Sequence, residues 1–150
     1  MNLYFSLSYG GLFLSSFMAA TILPFSSEGI LSYMIYQKYN YVLLILFASI
    51  GNTFGGITSY YLGRLGKLEW LEKRMNISLN KILKTQKIVN KYRGLLAFFC
   101  WLPIVGDLLA VSLGYFKCKE GQVFVFMLLG KTLRYILWMF FTLWSLKFFN

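Results

Sequence analysis

The chain has no histidine, two cysteines and five acidic residues among its 150 positions. Without histidine the usual nucleophile–base pairs are missing, so an enzyme is not expected. Cys100 and Cys118 are too few for a structural zinc site, and nothing in the sequence supports a disulfide between them. We therefore expect neither a metal nor another cofactor.

Charged residues are also scarce, at 13% of the chain, whereas hydrophobic residues make up 58%. Globular proteins have about 25% charged residues, so this composition predicts an integral membrane protein. The formal net charge is +10, and nine of the fifteen basic residues lie in a polar connector, residues 64–93. The positive-inside rule places this connector in the cytoplasm, and its charge predicts contact with anionic headgroups of membrane lipids rather than with nucleic acid.

The connector also contains apolar residues at nearly helical spacing, between lysines. This pattern favours an amphipathic helix on the cytoplasmic membrane surface. A solvated loop with scattered apolar residues is the alternative. The apolar positions are Leu68, Leu71, Met75, Leu79, Ile82 and Val89.

Four apolar stretches lie on either side of the connector, at about 10–36, 41–63, 94–116 and 122–149. Each exceeds the roughly 20 residues that a helix needs to cross the hydrocarbon core. The second and fourth are predicted to be ordinary spanning helices. Aromatic residues near their ends are candidate interfacial anchors, namely Tyr60, Tyr61, Trp138 and Trp144.

Proline interrupts the first and third stretches, at Pro24 and Pro103. Proline breaks helical hydrogen bonding, and in lipid the freed backbone must be buried in protein or face water. Each broken stretch is therefore either a kinked spanning helix or a re-entrant hairpin that returns to the side it entered. Basic residues precede the third stretch and follow it, at 91–93 and 117–119, which favours the hairpin.

The two breaks belong to an internal repeat with an offset of 79 residues: LPFSSE at 23–28 matches LPIVGD at 102–107, so that Glu28 aligns with Asp107. Other residues coincide at the same offset, among them Lys38/Lys117, Gly51/Gly130 and Thr53/Thr132. We predict a single all-α membrane domain of two inverted repeats, about 10–63 and about 94–149. Each would be a re-entrant hairpin followed by a transmembrane helix.

Glu28 and Asp107 are acids at predicted membrane depth, where a charge costs at least roughly 2.5–3.5 kcal/mol unless it is paired, solvated or protonated. Equivalent positions suggest a shared substrate or proton site. The alternative is that each acid caps the broken half-helix that follows it. If the two hairpin tips meet, desolvation and repulsion favour the neutral acid and permit proton-linked transport, whereas a cation between the acids opposes this.

Lys131 and Arg134 lie within the last apolar stretch and share one face of its helix. They either snorkel to the nearby interface or turn inward to meet Glu28 and Asp107, or a phosphate that enters the cavity. Asn52 aligns with Lys131 in the repeat and is the polar residue of the second stretch that we expect to face the cavity.

Glycines are concentrated in the same segments. The phosphate-loop pattern GxxxxGK[ST] is absent, so close packing between helices is the favoured role. Together with Pro24 and Pro103, the residues assigned to hairpin structure or packing are Gly51, Gly55, Gly56, Gly106 and Gly130.

These segments resemble the YqaA-type branch of the DedA (SNARE-associated, VTT-domain) membrane proteins. The matching motifs are ASxxxATxLPxxSE, which includes Ser27; GNxxGGxTxYxLGR; LPxVGDLL; and GKxLRY, which ends at Tyr135. The resemblance covers almost the whole chain. It implies a bacterial inner-membrane protein with two re-entrant hairpins, in a family whose better-known members flip or scramble lipids, including polyprenyl-phosphate carriers, with proton-motive force implicated.

Two departures from the family pattern concern charge. The P-G-x-R motif of many DedA proteins lacks its arginine around Gly106 and Asp107, and Gly56 replaces a common acid. An anion-binding cation must then come from Arg134 or Lys131, or be absent. We expect translocation of a phospholipid or lipid-phosphate carrier; the alternative is a structural or assembly protein of the envelope. Either protein is compatible with a homodimer.

Overall fold

The computed structural model describes residues 2–20, 27–66, 79–102 and 105–149. Within these ranges the chain is helical, without a β-strand. Pro24, Pro103 and connector residues 67–78 lie outside the described residues, and with them the proline breaks and the first part of the predicted surface helix.

Six α-helices and one short 3-10 helix make up the described fold. Two of the helices are long and apolar enough to cross a membrane, Tyr41–Arg64 and Glu120–Phe148, and they match the second and fourth apolar stretches. The elements are α1 Asn2–Ala19, α2 Ser27–Tyr36, α3 Tyr41–Arg64, α4 Leu79–Phe98, the 3-10 helix Phe99–Trp101, α5 Val105–Tyr115 and α6 Glu120–Phe149.

Helix α4 runs through the sequence boundary between the connector and the third apolar stretch. Its backbone leaves helical geometry at Tyr92, with φ −127° and ψ 38°, so a kink separates its polar first part from its apolar last part.

The turns that end α2 and α5 are alike. Lys38 and Lys117, which are 79 residues apart, are the two non-glycine residues with positive φ in the described part of the chain, at 58° and 50°. Three main-chain hydrogen bonds recur at the same offset: Gln37 to Tyr33, Lys38 to Ile35 and Tyr39 to Met34 in the first turn, and Phe116 to Ser112, Lys117 to Gly114 and Cys118 to Leu113 in the second. The sequence repeat therefore coincides with a repeated helix-ending motif.

Helix α1 packs along α3 in the same direction. The Tyr9 ring lies 5.5 Å from the Phe47 ring, and farther along the pair Gly55 lies against the Phe17 carbonyl and the methyl group of Ala20. After α2 the chain is back beside Tyr9, whose hydroxyl accepts the backbone N–H of Asn40 at 3.3 Å. The α1–α2 pair thus begins and ends at the amino-terminal end of α3 and reaches only to its middle.

Helix α4 packs along α6 in the same direction, as α1 does along α3. Gly94 lies against the ring of Phe126, and Gly130 lies against the carbonyl of Phe98, so the two helices also run parallel. Because the first turn of α6 follows the turn at Lys117, the apolar last part of α4 together with α5 begins and ends near the amino-terminal end of α6.

The long helices α3 and α6 run antiparallel. Gly56 lies against Met127 at mid-helix, and Arg64 at the end of α3 forms an ion pair with Glu120 at the start of α6. The short helices exchange partners between the halves, since α2 packs on α6 and α5 packs on α3.

The position of Tyr60 differs from the one predicted from the sequence. This residue was predicted as an interfacial anchor, but its side chain is fully buried, and its hydroxyl donates a hydrogen bond to the carbonyl of Cys118 at 2.6 Å. The close approach of α5 to α3 at Gly114 encloses it. Tyr61, Trp138 and Trp144 are exposed, as an interfacial role requires.

Candidate functional site

Charged side chains meet inside the bundle, near the middle of α3 and α6. Glu28 is 8% exposed and Lys131 is 3% exposed, and Arg134 is partly buried. Glu28 is the second residue of α2, where a negative charge is favoured by the free N–H groups of the first turn. Lys131 and Arg134 project from adjacent turns of α6, so α2 and α6 together deliver one acid and two cations.

Arg134 connects the two halves of the chain. Its guanidinium forms an ion pair with Glu28 and donates a second hydrogen bond to the carbonyl of Trp101 at 3.1 Å. Trp101 ends the 3-10 helix that precedes α5. Arg134 therefore turns inward, as one of the two sequence interpretations held, and holds the start of α2 beside the segment that leads to α5.

Ser27 and Tyr135 extend this contact. The Ser27 hydroxyl lies 2.9 Å from the Tyr135 hydroxyl and donates to the Glu28 carboxylate at 3.5 Å, and all three side chains are buried. Sequence reasoning did not assign either hydroxyl to the site. Their presence in the two family motifs, directly beside Glu28 and Arg134, was the available signal.

Lys131 reaches from α6 to the backbone of α3, where its ammonium donates a hydrogen bond to the main-chain carbonyl of Asn52. Gly56 makes this possible, because a Cβ there would lie 2.9 Å from the Lys131 nitrogen. The Asn52 side chain is buried and donates to the carbonyl of Ser16 at 3.1 Å. Asn52 thus fixes α1 with its side chain and Lys131 with its main chain.

Asp107 lies in the first turn of α5 and is partly buried. It interacts electrostatically with Lys131, but among the residues described it forms no ion pair. The repeat explains the difference from Glu28: the position equivalent to Arg134 is Gly55, which offers no cation. The two equivalent acids therefore have different partners.

Three buried donor groups in the described part of the chain lack a hydrogen-bond partner: the hydroxyls of Ser16 and Ser49 and the indole nitrogen of Trp101. Ser16 and Trp101 accept hydrogen bonds from Asn52 and Arg134 through their carbonyls, so they border the charged residues. Buried polar groups are normally paired, and unpaired ones call for an explanation. Each of the three is able to donate to an oxygen-rich ligand.

The glycines assigned to packing lie where helices approach closely. A Cβ at Gly51, Gly106 or Gly130 would overlap with the carbonyl of Phe13, Cys100 or Phe98, and one at Gly55 would lie 2.6 Å from the Phe17 carbonyl. Gly56 differs from these, because it meets the ends of two side chains, Met127 and Lys131, rather than backbone. It consequently belongs with the charged residues.

Comparison with known proteins gives a clear relationship. The chain is 35% identical over 136 residues to the inner membrane protein YqaA of Escherichia coli K12, an alignment that covers 87% of this chain and 88% of that protein. The chain belongs to the YqaA family. The YqaA protein of Shigella flexneri matches with the same identity and coverage, and an uncharacterized protein of Haemophilus influenzae is 30% identical over 86% of this chain.

Membership in the YqaA family confirms the predicted resemblance, and the relatives' name, together with the apolar helices, supports a membrane location. A protein of Lactococcus lactis named alkaline phosphatase-like is 29% identical, but the match covers only 56% of that protein. No family model matches the chain. No solved structure matches it either.

Proposed function

We propose that this YqaA-family protein translocates a lipid with an anionic, phosphate-bearing headgroup across the inner membrane. The observation that carries the proposal is the burial of Lys131 and Glu28, with the partly buried Arg134, inside an apolar bundle. Ionisable groups at membrane depth are costly and typically mark a substrate or proton pathway.

The proposed topology is a pair of inverted repeats, each with a re-entrant hairpin. In support, the α1–α2 pair extends only to the middle of α3, and the α4–α5 pair only to the middle of α6. Because α3 and α6 are antiparallel, the two pairs enter from opposite ends of the bundle. In this proposal the basic connector lies on the cytoplasmic side, where it contacts anionic lipid headgroups.

Phosphate suits the chemistry of the site. A guanidinium binds phosphate through two N–H groups, and an ammonium adds a point charge. The unpaired donors of Ser16 and Trp101 border the same region and would bind further phosphate oxygens.

The Glu28–Arg134 pair gives a route to proton coupling. An entering phosphate competes with the Glu28 carboxylate for Arg134. When Glu28 takes up a proton, it releases the guanidinium and the phosphate takes its place, so the buried charge stays balanced. The headgroup and the proton would then occupy the site together.

A structural or assembly role is the second candidate. A row of rings on the outer face of α6, at Trp138, Phe141, Trp144 and Phe148, is exposed and offers a surface for a homodimer. This role requires no buried ion pair, so translocation is preferred. No enzyme activity is proposed.

Reconstitution tests the proposal. Purified protein in phosphatidylethanolamine–phosphatidylglycerol vesicles should move a tail-labelled fluorescent phospholipid between leaflets faster than protein-free vesicles do. Lys131→Met should remove the acceleration. An equal rate with and without the protein, for phospholipid and for polyprenyl phosphate alike, would leave the structural role as the better account.

A further inference from the structure

The two interfaces between a short helix and a long helix are equivalent by the sequence repeat but differ in chemistry. Helix α2 meets α6 through a line of polar side chains, which we name the polar seam, and apolar residues of the same two helices share a hydrophobic cluster beside it. The polar seam consists of Ser27, Glu28 and Ser32 on α2 and Arg134, Tyr135, Trp138 and Thr142 on α6. Helix α5 meets α3 through glycines, and we name this contact the glycine seam.

Hydrogen bonds run along the whole polar seam. Beyond the Glu28–Arg134 and Ser27–Tyr135 contacts, the Ser32 hydroxyl lies 3.1 Å from the Thr142 hydroxyl and accepts the Trp138 indole N–H at 3.0 Å. Every one of these bonds joins side chains, so the polar part of the contact between α2 and α6 consists of groups that water or a lipid headgroup is able to replace.

The glycine seam has no such bonds at the equivalent positions. The repeat places Val111 and Gly63 where the polar seam has Ser32 and Thr142, and here a Cβ at Gly63 would overlap with the Val111 carbonyl. Likewise, a Cβ at Gly114 would overlap with the carbonyl of Tyr60. Close backbone contact of this kind gains its stability from dispersion, which a headgroup does not replace.

We propose that the polar seam is the lateral entrance through which a lipid headgroup reaches Arg134 and Lys131, and that the glycine seam stays closed as a fixed support. This inference rests on the proposed function and adds the path of the substrate. The headgroup supplies the hydrogen bonds that the separating side chains of the polar seam lose, so opening occurs only toward a polar ligand. The hydrocarbon of the bilayer, which offers no hydrogen bonds, keeps the seam shut.

Thiol labelling tests the opening without any assay of transport. Single cysteines are introduced at the repeat-equivalent positions, Ser32→Cys and Val111→Cys, after both buried native cysteines are changed to alanine. Each protein is labelled in vesicles with a small charged methanethiosulfonate, with and without Glu28→Gln. Loss of the ion pair should raise the labelling rate of Ser32→Cys by about tenfold and leave that of Val111→Cys unchanged. No rise at Ser32→Cys, or an equal rise at both positions, would overturn the proposal.

A reversible cross-link supplies the second arm and does not depend on a destabilised variant. Ser32→Cys/Thr142→Cys closes the polar seam with a disulfide. The single variant Ser32→Cys, treated with the same oxidant, is the matched control because it cannot form the cross-link. Oxidation should reduce translocation of labelled phospholipid at least tenfold in the first protein only, and reduction should restore it. Full activity of the oxidised first protein would contradict the proposed entrance. If neither protein translocates lipid when reduced, the proposed function fails, and the labelling arm alone decides whether the seam opens.

Discussion

Lys131 and Asn52 are one repeat length apart in the sequence and in contact in the structure, where the Lys131 ammonium donates a hydrogen bond to the Asn52 main-chain carbonyl. The contact lies where the antiparallel helices α3 and α6 face each other at mid-length. Two repeat-equivalent residues that touch each other are expected on or near the axis that relates two repeats. The Lys131 charge is consequently central in the bundle and borders both halves of the chain.

Lys131→Met should separate the role of this charge from its role in packing. Methionine has a similar length and fills the space beside Gly56, so the free energy of unfolding should stay unchanged or rise by about 1 kcal/mol, because a buried charge is removed. Lipid translocation should fall at least tenfold. Thermal unfolding in detergent and the vesicle assay measure the two quantities. A variant that is both less stable and fully active would show that Lys131 serves packing and not translocation.

The Glu28–Arg134 ion pair should make a measurable contribution to stability. Glu28→Gln and Arg134→Gln each leave one charge partly buried and unpaired, so each should lower the free energy of unfolding by about 2–4 kcal/mol. In the double variant the loss should be smaller than the sum, by about 1–3 kcal/mol.

The Arg64–Glu120 ion pair is the matched control for this comparison of single and double variants. Its side chains are 38% and 40% exposed, so the corresponding glutamine substitutions should each cost less than about 1 kcal/mol. Equal losses at the two pairs would mean that the burial of Glu28 does not matter to its energetics.

Glycine substitutions should distinguish backbone contact from side-chain contact. Gly114→Ala should destabilise the fold by about 2 kcal/mol or more, because its Cβ would overlap with the Tyr60 carbonyl. Gly121→Ala meets open space in a helix and should stabilise it by about 0.5 kcal/mol.

Gly56→Ala should differ from both, because its Cβ meets the movable ends of Met127 and Lys131. We expect a loss of translocation greater than its loss of stability. Thermal unfolding of all three variants, with the vesicle assay on Gly56→Ala, provides the comparison. A large stability loss at Gly121 would show that the helix contacts are wrongly placed.

Topology has a matched test at the two equivalent turns. In protein whose native cysteines are changed to alanine, Lys38→Cys and Lys117→Cys introduce single thiols at exposed positions with the same left-handed backbone conformation. Inverted repeats predict that an impermeant maleimide added to intact cells labels Lys38→Cys and spares Lys117→Cys, which should react only after the membrane is opened. Labelling of both in intact cells would end the inverted arrangement and favour kinked spanning helices, with the connector still in the cytoplasm.

The sequence was informative about the elements and less so about their partners. Hydropathy located both long helices. Lys38 and Lys117 coincide at the repeat offset, but the two turns of identical hydrogen bonding there were not predicted. Lys131 and Arg134 could be placed on one face of α6, but whether that face turns inward depends on how α6 rotates against α2 and α3. Only the packing of the helices decides this, so snorkelling and inward pairing remained equal alternatives.

Tyr60 is a second residue whose surroundings depend on helix packing, and here a residue predicted to lie at the membrane interface is buried. Adjacent tyrosines near a helix end are typical of a membrane interface, yet Tyr60 is enclosed while Tyr61 is exposed. The cause is Gly114, a residue 54 positions away whose missing side chain lets α5 approach α3. The residues on either side of Tyr60 in the sequence do not indicate this distant contact.

The rate of phospholipid translocation by Glu28→Gln, measured in vesicles with and without an imposed pH gradient, tests the central claim most directly. The account predicts that wild-type protein accelerates translocation and responds to the gradient. Glu28→Gln should elute as a folded protein but translocate lipid no faster than protein-free vesicles do. Glutamine cannot take up and release a proton, so it cannot alternate with the phosphate as the partner of Arg134. Glu120→Gln, on the exposed pair, should match the wild type. A Glu28→Gln protein with full activity and an unchanged response to the gradient would show that the buried charges are structural.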